Sequence, residues 1–306
     1  MIPPKPPARA DKVSLRQYLR LFRTDILSAQ PARLYHAWMA EFRTPFFRSY
    51  LCNDPELVAR VLSERPRDFP KSGRIGEGLR PLLGQSVFLT NGEAWERQRR
   101  IIDPAFAGGR LHHAVPGIWA AATAAAARLT EGPQDIEPSS SHAAADVIFR
   151  TLFSIPIDDA LAAQVYAAFQ TYQRTQPLVN LAAFLPLPWW MPRLHRRATR
   201  MSARTIRALI GALCNTRGRS IADGTAPDDL ATKIMTTADP ETGQTFTTAE
   251  MVDQVAIFFL AGHETTASAL IWWGHCMASQ PACAQRAQEE VDRVLGQRPP
   301  LYEDLP

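Results

Sequence analysis

The chain has 306 residues, of which 46% are apolar and 21% charged, and its formal net charge at pH 7 is +4. This length can bury a sizeable core in one large domain or two, and the apolar share is ordinary for a globular protein. So small a net charge does not by itself argue for nucleic-acid binding, and we expect none. The cysteines have no paired spacing, which favours a reducing compartment over a disulfide framework: Cys52, Cys214, Cys276 and Cys283.

The N-terminus is rich in proline and has no apolar signal core, so residues 1–13 are predicted to form a flexible tail. No run reaches the roughly 18 uninterrupted apolar residues of a membrane span. The sequence therefore predicts a cytoplasmic protein without a transmembrane anchor.

The region between residues 30 and 60 is predicted to combine helix and strand. Residues 30–43 have a helical pattern, and residues 45–52 have the aromatic content of a strand. Asp54 followed by Pro55 is typical of an N-cap and a first helical position, so a short helix is expected there.

A loop and a capped helix are predicted next. Residues 70–92 are rich in glycine and have few periodic apolar positions, which favours a loop. Thr90 and Glu93 have the spacing of a capping box for a helix that should end at Asp103, before Pro104.

The rest of the chain is predicted to be mostly helical. Thr247 and Glu250 have capping-box spacing at the start of a long, apolar central helix. Three prolines interrupt the apolar stretch 181–192, which is predicted to be a loop. The predicted helices span about 114–129, 141–154, 158–175, 193–215, 248–279 and 282–295.

The most informative segment lies in the middle of the central helix, where residues 261–266 read Ala-Gly-His-Glu-Thr-Thr. A helix that is apolar nearly all round is usually buried, where a carboxylate and hydroxyls are costly unless they have partners. The small pair Ala261 and Gly262 leaves room for a flat group. We therefore interpret the segment as one that lines a cofactor and supplies protons for its chemistry. In the alternative interpretation, the Thr265 hydroxyl bonds to its own helix and Glu264 reaches the surface.

Trp95 and Arg99 are four residues apart and thus share one face of a helix. An indole N–H and a guanidinium on one face can hold a carboxylate together. The alternative is a tryptophan in the core with Arg99 on a solvated face. Arg97 and Arg100 point elsewhere and are predicted to be surface charges that face an acidic partner.

Together these elements resemble the cytochrome P450 family of haem-thiolate monooxygenases. The family's central helix carries [Ala/Gly]-Gly-x-[Asp/Glu]-Thr-[Thr/Ser], which residues 261–266 match, and an upstream Trp-x-x-x-Arg, which Trp95 and Arg99 match. The family's Glu-x-x-Arg helix and its cysteine haem-ligand loop are absent from the sequence. The expected fold is mainly α with a small β-sheet, and it is truncated after the helix that follows the central helix. Residues 14–306 are expected to form a single incomplete domain of this fold.

The resemblance implies haem b as the cofactor, an apolar organic substrate hydroxylated with dioxygen and two electrons, and a ferredoxin- or flavin-type redox partner. It implies that Trp95 and Arg99 contact a haem propionate and that Ala261 and Gly262 line the distal face. Glu264 and Thr265 would activate dioxygen. The candidates for the substrate pocket are Phe88, Phe258 and Leu260.

We expect no metal ligand in this chain, because none of its cysteines lies in a plausible ligand loop, and the chain alone is predicted to be inactive. The alternative hypothesis is a non-catalytic helical protein, derived from that fold, that binds an apolar ligand or a partner. A zinc-protease motif fails because Ala267 stands where a second histidine is needed. The basic helix 193–215 is predicted to be a solvated face, and 181–192 to gate access of the substrate.

Overall fold

The structure is a computed structural model that describes residues 7–25, 27–43, 48–107, 111–175 and 197–304. The chain divides into two compact units. The first comprises Met1–Gly78 and Gln176–Arg196, and the second comprises Leu79–Thr175 and Arg197–Pro306. The predicted gate at 181–192 lies outside the described residues.

The described part of the first unit contains a β-hairpin and short helices. Strands β1 (Met39–Arg43) and β2 (Arg48–Cys52) pair antiparallel, with Met39 opposite Cys52. The helices are α1 (Leu15–Thr24) and α2 (Pro55–Ala59). The Asp54 carboxylate accepts from two backbone N–H groups of α2, which confirms the predicted N-cap.

The helix predicted over residues 30–43 is wrong in its second half. A 3-10 turn, Ala32–Tyr35, is followed by β1. The Asn53 amide donates to the carbonyls of Leu34 and Ala37, both at 2.7 Å, and so ties the end of the hairpin to this turn. Pairing with β2 satisfies the backbone groups of β1, and this non-local contact outweighs the local helical pattern.

The second unit consists of packed helices. Three rings meet in its core, where Phe259 lies 4.3 Å from Phe169 and 5.1 Å from Phe149 between ring centroids. Helix α3 spans Gly73–Leu83. The others are α4 (Gly92–Phe106), α5 (Leu111–Ala126), α6 (Ile136–Phe153), α7 (Ala160–Thr175), α8 (Arg197–Ala222), α9 (Leu230–Thr236), α10 (Thr248–Ser279) and α11 (Pro281–Val294).

Three predictions around α3 and α4 are wrong. Much of the predicted loop 70–92 is helical, because α3 fully buries Leu82 and Leu83, and that burial outweighs the low helix propensity of its glycines. Helix α4 continues through Pro104, and the buried Ile101 and Ile102 hold its end in the core. The Thr90 hydroxyl does not cap α4; it donates to the side-chain oxygen of Gln98 at 2.7 Å.

The central helix α10 starts at the predicted capping box. The Thr247 hydroxyl accepts from the Glu250 N–H while the Glu250 carboxylate accepts from the Thr247 N–H. Its first half is buried, but Trp272 and Trp273 are 67% and 62% exposed, so the expected burial all round is wrong for the second half. Among the described helices, α10 is the one whose length and apolar composition would allow it to cross a membrane. The core helix of a soluble protein can meet the same two criteria.

Candidate functional site

The face of α10 that carries Ala261 and Thr265 is exposed. The Thr265 hydroxyl donates to the Ala261 carbonyl at 2.5 Å, which is the intrahelical bond of the alternative interpretation. The predicted burial of the Glu264 carboxylate and the neighbouring hydroxyls is wrong, because the described helices pack on the other side of α10, around His263. The bond uses the hydroxyl proton of Thr265 and leaves its oxygen able to accept.

Gly262 lets α10 approach α6 closely. A Cβ added to this glycine would lie 3.1 Å from the Ile148 Cδ1 atom of α6. The missing side chain thus explains a helix–helix contact, in which small residues allow backbones to come near. The cofactor-lining role of Gly262 stays a prediction.

Glu264 lies on the wall of a polar cleft of about 390 Å³ between α6, α7 and α10. The cleft is also lined by Ser141 and Glu137 of α6 and by Arg174 of α7, with His263 at its buried end. Because Glu264 is exposed, water in this cleft can reach its carboxylate.

Trp95 and Arg99 share one face of α4, as their spacing indicates. The Arg99 guanidinium lies over the Trp95 indole at 5.4 Å from the ring centroid. The Arg99 Nε donates to Asp103 at 2.6 Å, and both side chains of this pair are about half exposed. A pair so exposed contributes little, so Arg99 can exchange this carboxylate for another one.

Arg97 and Arg100 are not free surface charges, which corrects their predicted role. Arg97 pairs with Glu250 at the start of α10 at 2.7 Å. Arg100 pairs with Asp239, whose side chain is fully buried, at 2.6 Å. Hydrogen bonding from Arg100 keeps the pKa of Asp239 well below its ordinary value. These pairs fix α4 against α10 and against the turn at Asp239, and so hold Trp95 and Arg99 in place.

Of the pocket candidates, Phe258 and Leu260 pack partly against the core, and Phe258 meets Phe106 of α4 edge to face at 5.8 Å. Phe88 is 49% exposed in the turn before α4. That turn is attached to α10 because the Val87 N–H donates to Gln254, one helical turn before Phe258. The substrate role of all three stays a prediction.

The cysteines lie in regular secondary structure. Cys214 is buried in α8, and burial raises its pKa to about 12, so it is a neutral thiol at pH 7. Cys52 lies in β2, whereas Cys276 and Cys283 are exposed on α10 and α11. Cys214 is fully buried among core side chains, so its sulfur has no open face where a haem iron could bind.

Sequence reasoning missed the polar residues that α10 buries. Asp253, Gln254 and His263 are all buried within its apolar stretch. The Asp253 carboxylate accepts from the Gln85 N–H at 2.7 Å and pairs with Arg207 of α8 at 2.7 Å. The available signal was the presence of polar residues in an otherwise apolar helix, since buried polar groups need partners.

Comparison with known proteins identifies the fold and the family together. The model of the cytochrome P450 family matches residues 43–306. The chain belongs to the cytochrome P450 family. The haem domain of cytochrome P450DA superposes on this chain with a TM-score of 0.73 and has the same fold. The two sequences are 20% identical, and the superposition covers 97% of this chain and 65% of the haem domain. The expected fold class, mainly α with a small sheet, is confirmed.

Two relatives of this P450 chain come from Streptomyces. The cyclooctat-9-en-7-ol 5-monooxygenase of Streptomyces melanosporofaciens is 34% identical over 291 residues, which cover 92% of this chain and 59% of the relative. The pentalenene oxygenase of Streptomyces avermitilis is 30% identical over 89% of this chain and 59% of its own length. The chain thus spans about 59% of the length of these curated relatives.

Proposed function

We propose that the complete protein is a haem-dependent P450 monooxygenase that hydroxylates an apolar, terpene-like substrate with dioxygen and two electrons. The main support for this proposal is the exposed face of α10, which carries Ala261 and Thr265 in a chain of the P450 family. The same chain places Trp95 and Arg99 on one face of α4. Two relatives are named for pentalenene and cyclooctat-9-en-7-ol, which supports the substrate class. The ferredoxin- or flavin-type redox partner and the cytoplasmic location stay predictions.

Trp95 and Arg99 are the residues that would hold a haem propionate. When bound, haem supplies the redox chemistry that cleaves dioxygen. Arg99 would leave Asp103 for the propionate at little energetic cost, because an exposed ion pair is worth about 0–1 kcal/mol. The indole stacked under the guanidinium limits the orientations of Arg99, so the pair is partly preorganised for a planar carboxylate.

Glu264 and Thr265 would move protons between the cleft and the exposed face of α10. Successive helical residues differ by about 100° around the axis, so Glu264 faces the cleft while Thr265 lies on the neighbouring exposed face. Rotation of the Thr265 hydroxyl away from the Ala261 carbonyl would aim its proton at the exposed face. Glu264 would then replace that proton from water in the cleft.

We also propose that the thiolate for haem comes from outside these 306 residues. This proposal rests on the position of the four cysteines, since Cys214 is fully buried in the core and the other three lie on a strand or on helices. The chain alone would therefore be inactive, although it provides the propionate pair and the proton-transfer residues.

The proposal is tested with the complete, haem-loaded protein, a ferredoxin with its reductase, and pentalenene-type hydrocarbons. We expect products with one added oxygen atom, and a substrate-dependent shift of the haem Soret band. A correctly ligated protein that binds these compounds but oxygenates none of them would support the non-catalytic alternative.

Thr265→Ala, made in the same protein, isolates the proton-transfer step. Loss of a positioned proton donor typically slows a reaction by at least about a hundredfold. We therefore expect far less product per electron consumed in Thr265→Ala, with substrate affinity unchanged, and recovery in Thr265→Ser. Unchanged product yield per electron in Thr265→Ala would remove Thr265 from the mechanism.

A further inference from the structure

His263 is buried although it stands inside an exposed motif. The residue is 2% exposed, while Glu264 and Thr265 beside it are exposed. Its imidazole is stacked on Phe259, one turn earlier in α10, with ring centroids 5.6 Å apart. The Tyr166 ring lies perpendicular to it, with ring centroids 5.7 Å apart. An aromatic cage of this kind leaves the ring little freedom to rotate.

A hydrogen-bonded chain links His263 to two other helices. The His263 Nε2 and the Ser141 Oγ of α6 are 2.7 Å apart, and the Ser141 Oγ and the Tyr166 hydroxyl of α7 are 3.1 Å apart. One serine oxygen thus joins α6, α7 and α10. Among the described residues the Nδ1 of His263 has no hydrogen-bond partner, so the bond to Ser141 is the one that orients the imidazole.

The network lies opposite the face with the proposed catalytic threonine. Two residues along an α-helix correspond to about 200° of rotation, so Ala261 and Thr265 both point away from His263. A rotation of α10 that moved His263 out of its cage would turn these two residues by the same angle. The depth of His263 in its cage therefore determines where the opposite face points.

We propose that His263, Ser141 and Tyr166 are positioning residues that fix the rotation of the middle of α10 and thereby orient Ala261 and Thr265. The consequence for haem chemistry rests on the proposed function. The network itself is a property of the haem-free chain, so it is tested without haem.

Burial, and not the charges around the network, favours a neutral imidazole. Burial lowers the pKa of His263, and Glu264 on the same helix opposes that shift only in part. Glu137 of α6 and Arg174 of α7 line the same cleft, so one acidic and one basic group face the site from the neighbouring helices. Because Nδ1 has no partner among the described residues, a proton there would be a buried, unpaired N–H, which favours the tautomer whose Nε2–H donates to Ser141.

The test uses the 306-residue chain labelled with ¹⁵N, with His263→Gln to assign the imidazole signals. We expect one tautomer of His263 in the unchanged chain and a mixture in Ser141→Ala. Amide hydrogen exchange at residues 261–266 should become about fivefold faster in Ser141→Ala, as for loss of one hydrogen bond. Ser141→Thr should restore both values, and Tyr166→Phe, which keeps the ring, should reproduce part of the change.

Thr151→Val provides the matched control, because the Thr151 hydroxyl of α6 bonds only to carbonyls of its own helix in the described structure. It should change neither readout. The proposal is overturned if Ser141→Ala keeps a single tautomer and normal exchange at 261–266. It is also overturned if exchange rises equally throughout α6, α7 and α10, since that result indicates general loosening. Neither outcome depends on haem binding, so a failed monooxygenase assay is distinguishable from a failed network.

Discussion

At the scale of single residues, one buried and one partly buried histidine make this fold sensitive to acid. Burial lowers the pKa of His263, and likewise that of His142, from the ordinary value of 6.5. The unfolded chain then binds more protons than the folded chain, so their contribution to stability is complete above that value. It is lost as the pH falls below 6.5 towards the lower pKa of the folded state.

We predict that the urea midpoint of the chain falls when the pH is lowered from about 7.5 to about 5.5, the range in which histidine titrates. His263→Gln should show a smaller fall, because the variant has one buried imidazole fewer to protonate. Circular dichroism during urea unfolding measures both midpoints. An identical fall in the two proteins would contradict the buried, neutral state of His263.

Gly262 offers a second test at this scale. In Gly262→Ala the new methyl group would lie 3.1 Å from Ile148 Cδ1, so the Ile148 side chain must shift. Such overpacking typically costs about 1–3 kcal/mol, which exceeds the gain of up to about 1 kcal/mol from the helix propensity of alanine. Gly274→Ala is the matched control, since its Cβ would make an ordinary 3.4 Å contact with Ile136. In the control, the better helix propensity of alanine should stabilise the chain by up to about 1 kcal/mol.

Thermal unfolding of the two variants distinguishes these effects. We expect a lower midpoint for Gly262→Ala and an equal or higher one for Gly274→Ala. Ile148→Val, combined with Gly262→Ala, removes the clashing Cδ1 atom and should recover part of the loss. A stabilising Gly262→Ala would show that Ile148 moves aside at little cost, and would contradict the prediction that the contact between α6 and α10 needs a glycine at position 262.

At the scale of elements, the buried ion pair between Arg217 and Asp229 attaches α8 to the start of α9. Arg217 donates to Asp229 at 2.8 Å, to Thr232 and to the Phe153 carbonyl. Burial raises the pKa of Asp229 in spite of this partner. Arg217→Met would leave a buried carboxylate without its cation, and such a loss costs about 3–5 kcal/mol.

Arg219→Met is the matched control on the same helix, because Arg219 is exposed and such surface changes usually stay within about 0.5 kcal/mol. Urea unfolding should show a large loss for Arg217→Met and almost none for the control. Asp229→Asn should recover stability when added to Arg217→Met. Equal stabilities of the two single variants would contradict the importance of the pair.

Local signals are sufficient for some elements and not for others. Capping chemistry at Asp54 and Thr247 locates the starts of α2 and α10, because a cap involves neighbouring residues only. Helix α3 escapes prediction because its stability comes from burying Leu82 and Leu83 against distant residues. A sequence pattern shows propensity and spacing, but it does not show which surfaces will meet.

The same limit applies to the site. The spacing of Trp95 and Arg99 is enough to place them on one face, since that relation lies within a single helix. The partners of Arg97 and Arg100 are more than a hundred residues away, so no local pattern indicates that these arginines hold α4 in place. Nor does any pattern reveal the bond between Ser141 and His263, which depends on how α6 packs against α10.

At the scale of the whole molecule, the second unit exposes large apolar side chains. Those on α10 and α5 are Leu270, Trp272, Trp273, Ile118 and Trp119, each 39–67% exposed. Exposed apolar patches larger than a few hundred Å² usually mark an interaction surface or a tendency to aggregate. We predict that the chain self-associates as its concentration rises.

Sedimentation velocity over a concentration series measures this association. Trp272→Glu combined with Trp273→Lys should reduce it without lowering the thermal midpoint, because both side chains face solvent. A chain that stays monomeric at every concentration would contradict the prediction.

We propose that this chain contributes the propionate pair and the proton-transfer residues of a P450 site, but not the thiolate. The most direct measurement is the carbon-monoxide difference spectrum of the reduced 306-residue chain supplied with haem. We predict no red-shifted thiolate-type Soret band, and its appearance in a longer chain that includes the family's cysteine loop. A strong band of this type from the 306 residues alone would mean that one of the four cysteines ligates iron, and would contradict the account.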